Sequence, residues 1–158
     1  MMAHRDLRAY LPHAGAMCLL ETVESCDGTL ICCTATSHLD PDNPLRRAGV
    51  LWAICGLEYA AQTMAVHLSL ASGRHGQPRT GLLGEVRELR LDAGRLDEVV
   101  APLSIEATRI LDDDRCAMYR FRVAAGGREI LSGRASVFLD YPEARLPRGC
   151  VNRPGRGR

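Results

Sequence analysis

The sequence contains no lysine; all 20 of its fixed cations are arginine. Against them stand 19 Asp and Glu, leaving a formal net charge of +1. A protein that grips nucleic-acid backbones carries a concentrated basic patch, so this balance argues against one. The arginines are spread along the chain except for a cluster at the C-terminus. No Cys-x-x-Cys pair occurs among the seven cysteines, and zinc sites and secreted disulfide frameworks both need such patterned spacing. Cys18, Cys32, Cys33, Cys55 and Cys116 instead stand in apolar runs, where a free thiol behaves as a small hydrophobe. That usage implies a reducing compartment, and a cytoplasmic protein is expected. The start, Met1-Met2-Ala3-His4-Arg5-Asp6, carries charge where a secretion signal needs an apolar core. The longest apolar stretch, residues 48–71, is interrupted by Glu58, Tyr59, Gln62 and His67. It reads as a helix inside a protein, not one in lipid.

What is present fits one globular domain. A chain of 158 residues, 46% apolar and 25% charged, can bury a sizeable core. Residues 17–26 and 30–38 are apolar-rich runs separated by Asp27-Gly28, a hairpin signal. Residues 39–44 are dense in turn formers. Residues 50–72 are rich in Leu, Ala, Met and Ile with no proline, and apolar side chains fall on every face, so a helix buried on most sides is predicted. Strand-like runs follow at residues 80–91, 99–111, 117–124 and 129–141, with Asp112-Asp113-Asp114 and Ala125-Gly126-Gly127 as turns. Alternation is clear where Leu103, Ile105 and Ala107 face away from Ser104, Glu106 and Thr108. An α+β domain over residues 1–141 is therefore expected, a curved antiparallel sheet of about six strands around one long helix. This is the hotdog arrangement. Residues 142–158, rich in Pro, Gly and Arg, read as a disordered tail.

Two stretches carry a family resemblance. Leu11-Pro12-His13-Ala14-Gly15-Ala16-Met17-Cys18-Leu19-Leu20-Glu21-Thr22-Val23 resembles the opening of bacterial 3-hydroxyacyl-ACP dehydratases, and Gly56-Leu57-Glu58-Tyr59-Ala60-Ala61-Gln62 resembles their central helix. With Gly81-Leu82-Leu83-Gly84, the likeness is greatest to the branch found in aryl polyene biosynthesis. The resemblance implies a hydro-lyase that makes trans-2-enoyl-ACP in fatty-acid or polyene-type biosynthesis. It needs no cofactor beyond the phosphopantetheine on which acyl carrier protein presents the substrate. It implies a dimer, with itself or with a paralogous dehydratase, and a substrate channel lined by Gly56, Gln62, Gly81 and Gly84. One departure is plain. The main family places a catalytic histidine in a His-Phe-Pro-Gly loop fourteen residues before the helix glutamate; here Pro44 stands there, in a shortened loop of residues 43–49 without histidine.

Dehydration needs a base for the proton beside the thioester carbonyl, an acid for the departing hydroxyl, and donors for the enolate-like oxygen. Helix N-termini offer such donors. Glu58 is the only acidic or basic residue between Arg47 and His67. A carboxyl in apolar surroundings can serve as an acid near neutral pH. Gln62, one turn on, can hydrogen-bond it. The bland alternative is a structural glutamate meeting an arginine at a dimer interface. His13 and His38 are the candidate bases. His13 can equally hold backbone, and His38 reads more simply as an exposed strand-end residue. His67 lies about 180° round the helix from Glu58. His4 and His75 read as surface residues, and Trp52, Tyr59 and Met64 as core. No metal ligand set is expected. Two rivals stay open: a non-catalytic partner subunit of a dehydratase heterodimer, and a hotdog thioesterase in which Glu58 directs water at the thioester.

Overall fold

The computed structural model describes residues 2–3, 7–11, 15–71, 81–113 and 115–139. Within them, seven antiparallel strands form one sheet: β1 (Met2–Ala3), β2 (Thr22–Cys26), β3 (Leu30–Ala35), β4 (Gly81–Leu91), β5 (Leu103–Asp112), β6 (Cys116–Ala125) and β7 (Arg128–Leu139), in the spatial order β1-β2-β3-β5-β6-β7-β4. One helix, α1 (Gly56–Ala71), crosses the sheet and packs on β3, β5 and β6. This is the hotdog fold. The two-residue β1, paired with β2 at the sheet edge, is an addition that the sequence did not announce.

The local reasons are visible in the residues. Asp27 closes the β2–β3 hairpin by accepting the Thr29 and Leu30 N–H groups at 2.7 and 2.8 Å. Asp113 does the same for Arg115 and Cys116 at the β5–β6 turn. Along β5 and β6, Leu103, Ile105, Ala107, Tyr119, Phe121 and Val123 are buried while their neighbours face away from the helix, the period-2 pattern of a half-covered sheet. The helix side supplies Tyr59, Ala60, Met64 and Val66, all fully buried. Gly56 opens α1 directly over β7: a Cβ there would collide with Leu131, so the helix start comes closer to the sheet than any side chain allows.

Two expectations need correction. The helix does not begin near residue 50. Ala53–Cys55 form a 3-10 turn, and the preceding Leu51 and Trp52 are held extended, Ala53 N–H donating to Gly94 O and Leu96 N–H to Leu51 O. Trp52 bridges to Arg95 and is 52% exposed, not a core residue. Residues 142–158, His4, His75 and the His13 position lie outside the described residues. All six cysteines in the described part are free thiols, and Cys33 is buried enough that its thiol is pushed up to about 12.

Candidate active site

The site is assembled by the first two turns of α1 and the segment that resembles the dehydratase opening. The later helix start places Glu58 in the first turn of α1, not in its middle, and leaves it half-buried. Gln62 follows one turn later and is buried. Its amide is fully used: Nε2 donates to Met17 O at 2.7 Å and to Glu58 Oε1 at 3.2 Å, while Oε1 accepts the Leu19 N–H at 3.0 Å. Gln62 therefore ties the stretch Met17–Leu19 to the Glu58 carboxylate. The Gly56 N–H is spent on the Ala53 and Ile54 carbonyls of the 3-10 turn.

The shortened loop is a polar lattice. Asn43 is buried and donates through Nδ2 to Ser37 O at 2.8 Å and to Tyr59 Oη at 3.0 Å, while its Oδ1 accepts the Leu45 N–H. Tyr59 Oη also lies 3.0 Å from Ser37 Oγ, which donates to Leu19 O. Arg46 reaches across to Asp97 at 3.0 Å and to the carbonyls of His38, Asp40 and Gly49. The Arg95 guanidinium, also on Asp97, holds that carboxyl well below the ordinary carboxylate range. Where the main dehydratase family places a catalytic histidine, this chain builds a hydrogen-bonded scaffold. A cavity of about 250 Å³ lies between this loop and the opening segment, lined by Gly15, Ala16, Cys18, Ser37, Asn43 and Pro44 among others. Of Asn43, Ser37 and Tyr59, the sequence alone marks only Tyr59, and only as core.

His38 is not exposed and does not end a strand. It sits fully buried in a 3-10 turn, Ser37–Leu39, its Nε2 donating to Val99 O at 2.9 Å. The segment around Val99 meets its ring, which alternation along β3 does not reveal. His67, as expected, faces away from Glu58. Its Nε2 donates to Asp27 O at 2.8 Å, because a carbonyl can only accept, and its Nδ1 takes the Tyr119 hydroxyl at 2.9 Å. Gly81 and Gly84 lie on β4, the far edge of the sheet. Gly84 is the extra residue of a bulge between Leu83 and Glu85, and a Cβ there would collide with the Phe138 ring. Within one chain, then, Glu58 and Gln62 come together with the opening segment, while Gly81 and Gly84 lie on β4, beyond β7 in the strand order.

Burial holds both His38 and His67 below the ordinary histidine value of 6.5. The unfolded chain then binds protons at a higher pH than the folded one, so stability falls as pH drops below about 6.5 toward the depressed folded values. The melting temperature is expected to be flat from pH 8 to 7 and to decline toward pH 5.5. A double variant, His38→Gln with His67→Gln, should melt lower but with a flatter profile across that window. A wild-type melting temperature that rises on acidification would overturn this.

The comparisons bear on this geometry. A family model described as ApeP-like, ApeP dehydratase, matches residues 5–145. The chain belongs to the ApeP-like dehydratase family. Among solved structures, a chain of the dehydratase heterocomplex ApeI:P from Xenorhabdus doucetiae is similar at 22% identity and TM-score 0.74, covering 86% of this chain and 91% of that one. AziG from S. sahachiroi and a mutant of the thioesterase PA1618 from Pseudomonas aeruginosa share the fold at 12% identity, with TM-scores of 0.56 and 0.55. Each of the two matches 76% of this chain, covering 90% and 80% of its own length. No curated protein matches the chain by sequence. Among the described residues, no helix is long and apolar enough to cross a membrane.

Proposed function

We propose that this ApeP-like chain dehydrates 3-hydroxyacyl thioesters carried by acyl carrier protein, with Glu58 as the acid that protonates the departing hydroxyl. The reading is carried by one arrangement: a half-buried carboxyl group in the first turn of α1, which donates its proton in the protonated form, oriented by Gln62 and tied through it to the opening segment that holds His13. In the reaction a base removes the proton next to the carbonyl, the C–O bond at the third carbon breaks, and the hydroxyl leaves as water. His13 is the base on this reading, since His38 is fully buried in the Ser37–Leu39 turn with Nε2 donating to Val99 O. The test is a panel of 3-hydroxyacyl-ACP substrates with mass detection. Loss of water supports the proposal, and release of free acid would make the chain a thioesterase instead.

A second reading, a partner subunit in a two-chain dehydratase, is favoured by β4. This 11-residue strand ends the sheet, and nearly all of it is exposed, including Leu82, Leu89 and Leu91 at 41%, 38% and 48%. A long bare edge with apolar side chains seeks another strand. The expected assembly is at least a dimer, with itself or with a paralogous dehydratase. Light scattering at micromolar concentration should give at least twice the 17.3 kDa chain mass. A monomer that also fails to bind any co-expressed dehydratase would sink the assembly. If the chain alone shows no turnover but speeds a second dehydratase on mixing, the partner role is the correct one.

A further inference from the structure

The face of the sheet turned away from α1 carries arginine in register. Arg120 on β6 stands opposite Arg134 on β7, and Arg134 stands opposite Arg87 on β4. Two residues along, Arg122 stands opposite Ser132, and Ser132 opposite Arg90. Directly opposed residues share a face, so five guanidinium groups crowd two adjacent rows. Like charges placed this way repel and persist only with counter-ions.

The strand is bent to achieve this. Between Arg87 and Arg90, three steps of β4 span two of β7, and Glu88 within the bulge has φ +53°. Without the extra residue, Leu89 would oppose Ser132; the bulge gives the position to Arg90. A glutamate in the left-handed region is strained, and such strain gathers where a side chain is being aimed at something.

The internal counter-ions fall short. A cavity of about 350 Å³ on this face is lined by Arg90, Arg120, Arg122, Arg134, Glu88 and Glu129 among others. Four arginines against two glutamates line the cavity, and Glu106 on β5, opposite Arg122, is the next carboxylate in the row, so the arginines still outnumber the acids where the entire chain carries a formal +1. Glu129 accepts one bond on each oxygen, from Arg122 at 3.0 Å and Ser132 at 2.6 Å. Glu88 reaches Arg134 only at 3.4 Å. Arg134 Nε is buried with no hydrogen-bond partner among the described residues, and Arg90 and Arg120 make no ion pair with any of them. A buried N–H left unpaired is costly, and no described residue supplies its acceptor.

We propose that this cavity binds a phosphate-class dianion, held by Arg134, Arg120 and Arg90 on the outer face of the sheet, separate from the Glu58 site. Guanidinium groups match phosphate oxygens in pairs, and a phosphate supplies the acceptor that Arg134 Nε lacks. The proposal stands whether or not Glu58 performs dehydration.

The experiment titrates the full chain, alone or with its partner, with inorganic phosphate and with 4′-phosphopantetheine by calorimetry, chloride serving as the ionic-strength control. Wild type is expected to bind at least one probe. Arg90→Ala with Arg120→Ala, two exposed positions that leave the core untouched, should weaken that binding by ~10-fold or more with little change in melting temperature. Binding of phosphate alone marks a site for the free ion. Tighter binding of 4′-phosphopantetheine, lost in the same double variant, marks a site for a phosphate-bearing arm. Failure of both probes to bind wild type at matched ionic strength, or equal binding by the double variant, would overturn the proposal.

Discussion

Glu58→Gln is expected to lower dehydration of the preferred 3-hydroxyacyl-ACP by ~10²-fold or more, without unfolding the protein. The amide keeps an oxygen for Gln62 Nε2 to donate to at the present 3.2 Å, so the local geometry survives. What it cannot do is deliver a proton. His13→Ala measured alongside should match that loss if His13 is the base, while His38→Ala should act mainly on stability, through the lost Val99 bond. Activity of Glu58→Gln within about threefold of wild type would falsify the acid role. It would leave Glu58 as a structural anchor for Gln62.

The second large effect is expected at Gln62, on stability. Gln62→Ala removes the acceptor of the buried Leu19 N–H and the donor to the part-buried Met17 O, and opens a cavity. Two unpaired backbone groups at about 1–3 kcal/mol each suggest a loss of about 2–6 kcal/mol. Gln62→Glu is informative because it restores volume without the amide donor. A carboxylate can still accept from Leu19, but it faces the Met17 carbonyl and the Glu58 carboxylate with no proton to offer. It should therefore fall well short of wild type in urea unfolding. If Gln62→Ala shifts the midpoint no more than an exposed substitution on α1, such as Ala71→Gln, the tie between helix and opening segment is not structural.

The order of elements was readable in the chain because hairpin chemistry and burial periodicity are local. Asp27-Gly28 and Ala125-Gly126-Gly127 both mark observed turns, and the i, i+4 spacing of Glu58 and Gln62 predicted their contact. What failed depended on distant partners. Leu51 to Cys55 have helix-like composition, but backbone bonds to Gly94 and Leu96 hold their start extended. His38 reads as exposed because the backbone its ring meets, at Val99, lies 61 residues away in sequence. The arginine rows on the outer face were invisible until strand register put residues 87, 120 and 134 side by side. Alternation within one strand says which residues share a face, not which strand stands next to them.

The bare length of β4 has a consequence for how much of this protein a cell can keep. On the two-chain reading proposed above, β4 is completed by another chain, and the protein would then gain stability by mass action, its melting point climbing with the supply of its mate. Molecules made in excess wait with an open strand, where stray pairing and proteolysis compete with correct docking. Abundance is then set by the scarcer of the two chains, and balanced synthesis becomes part of folding.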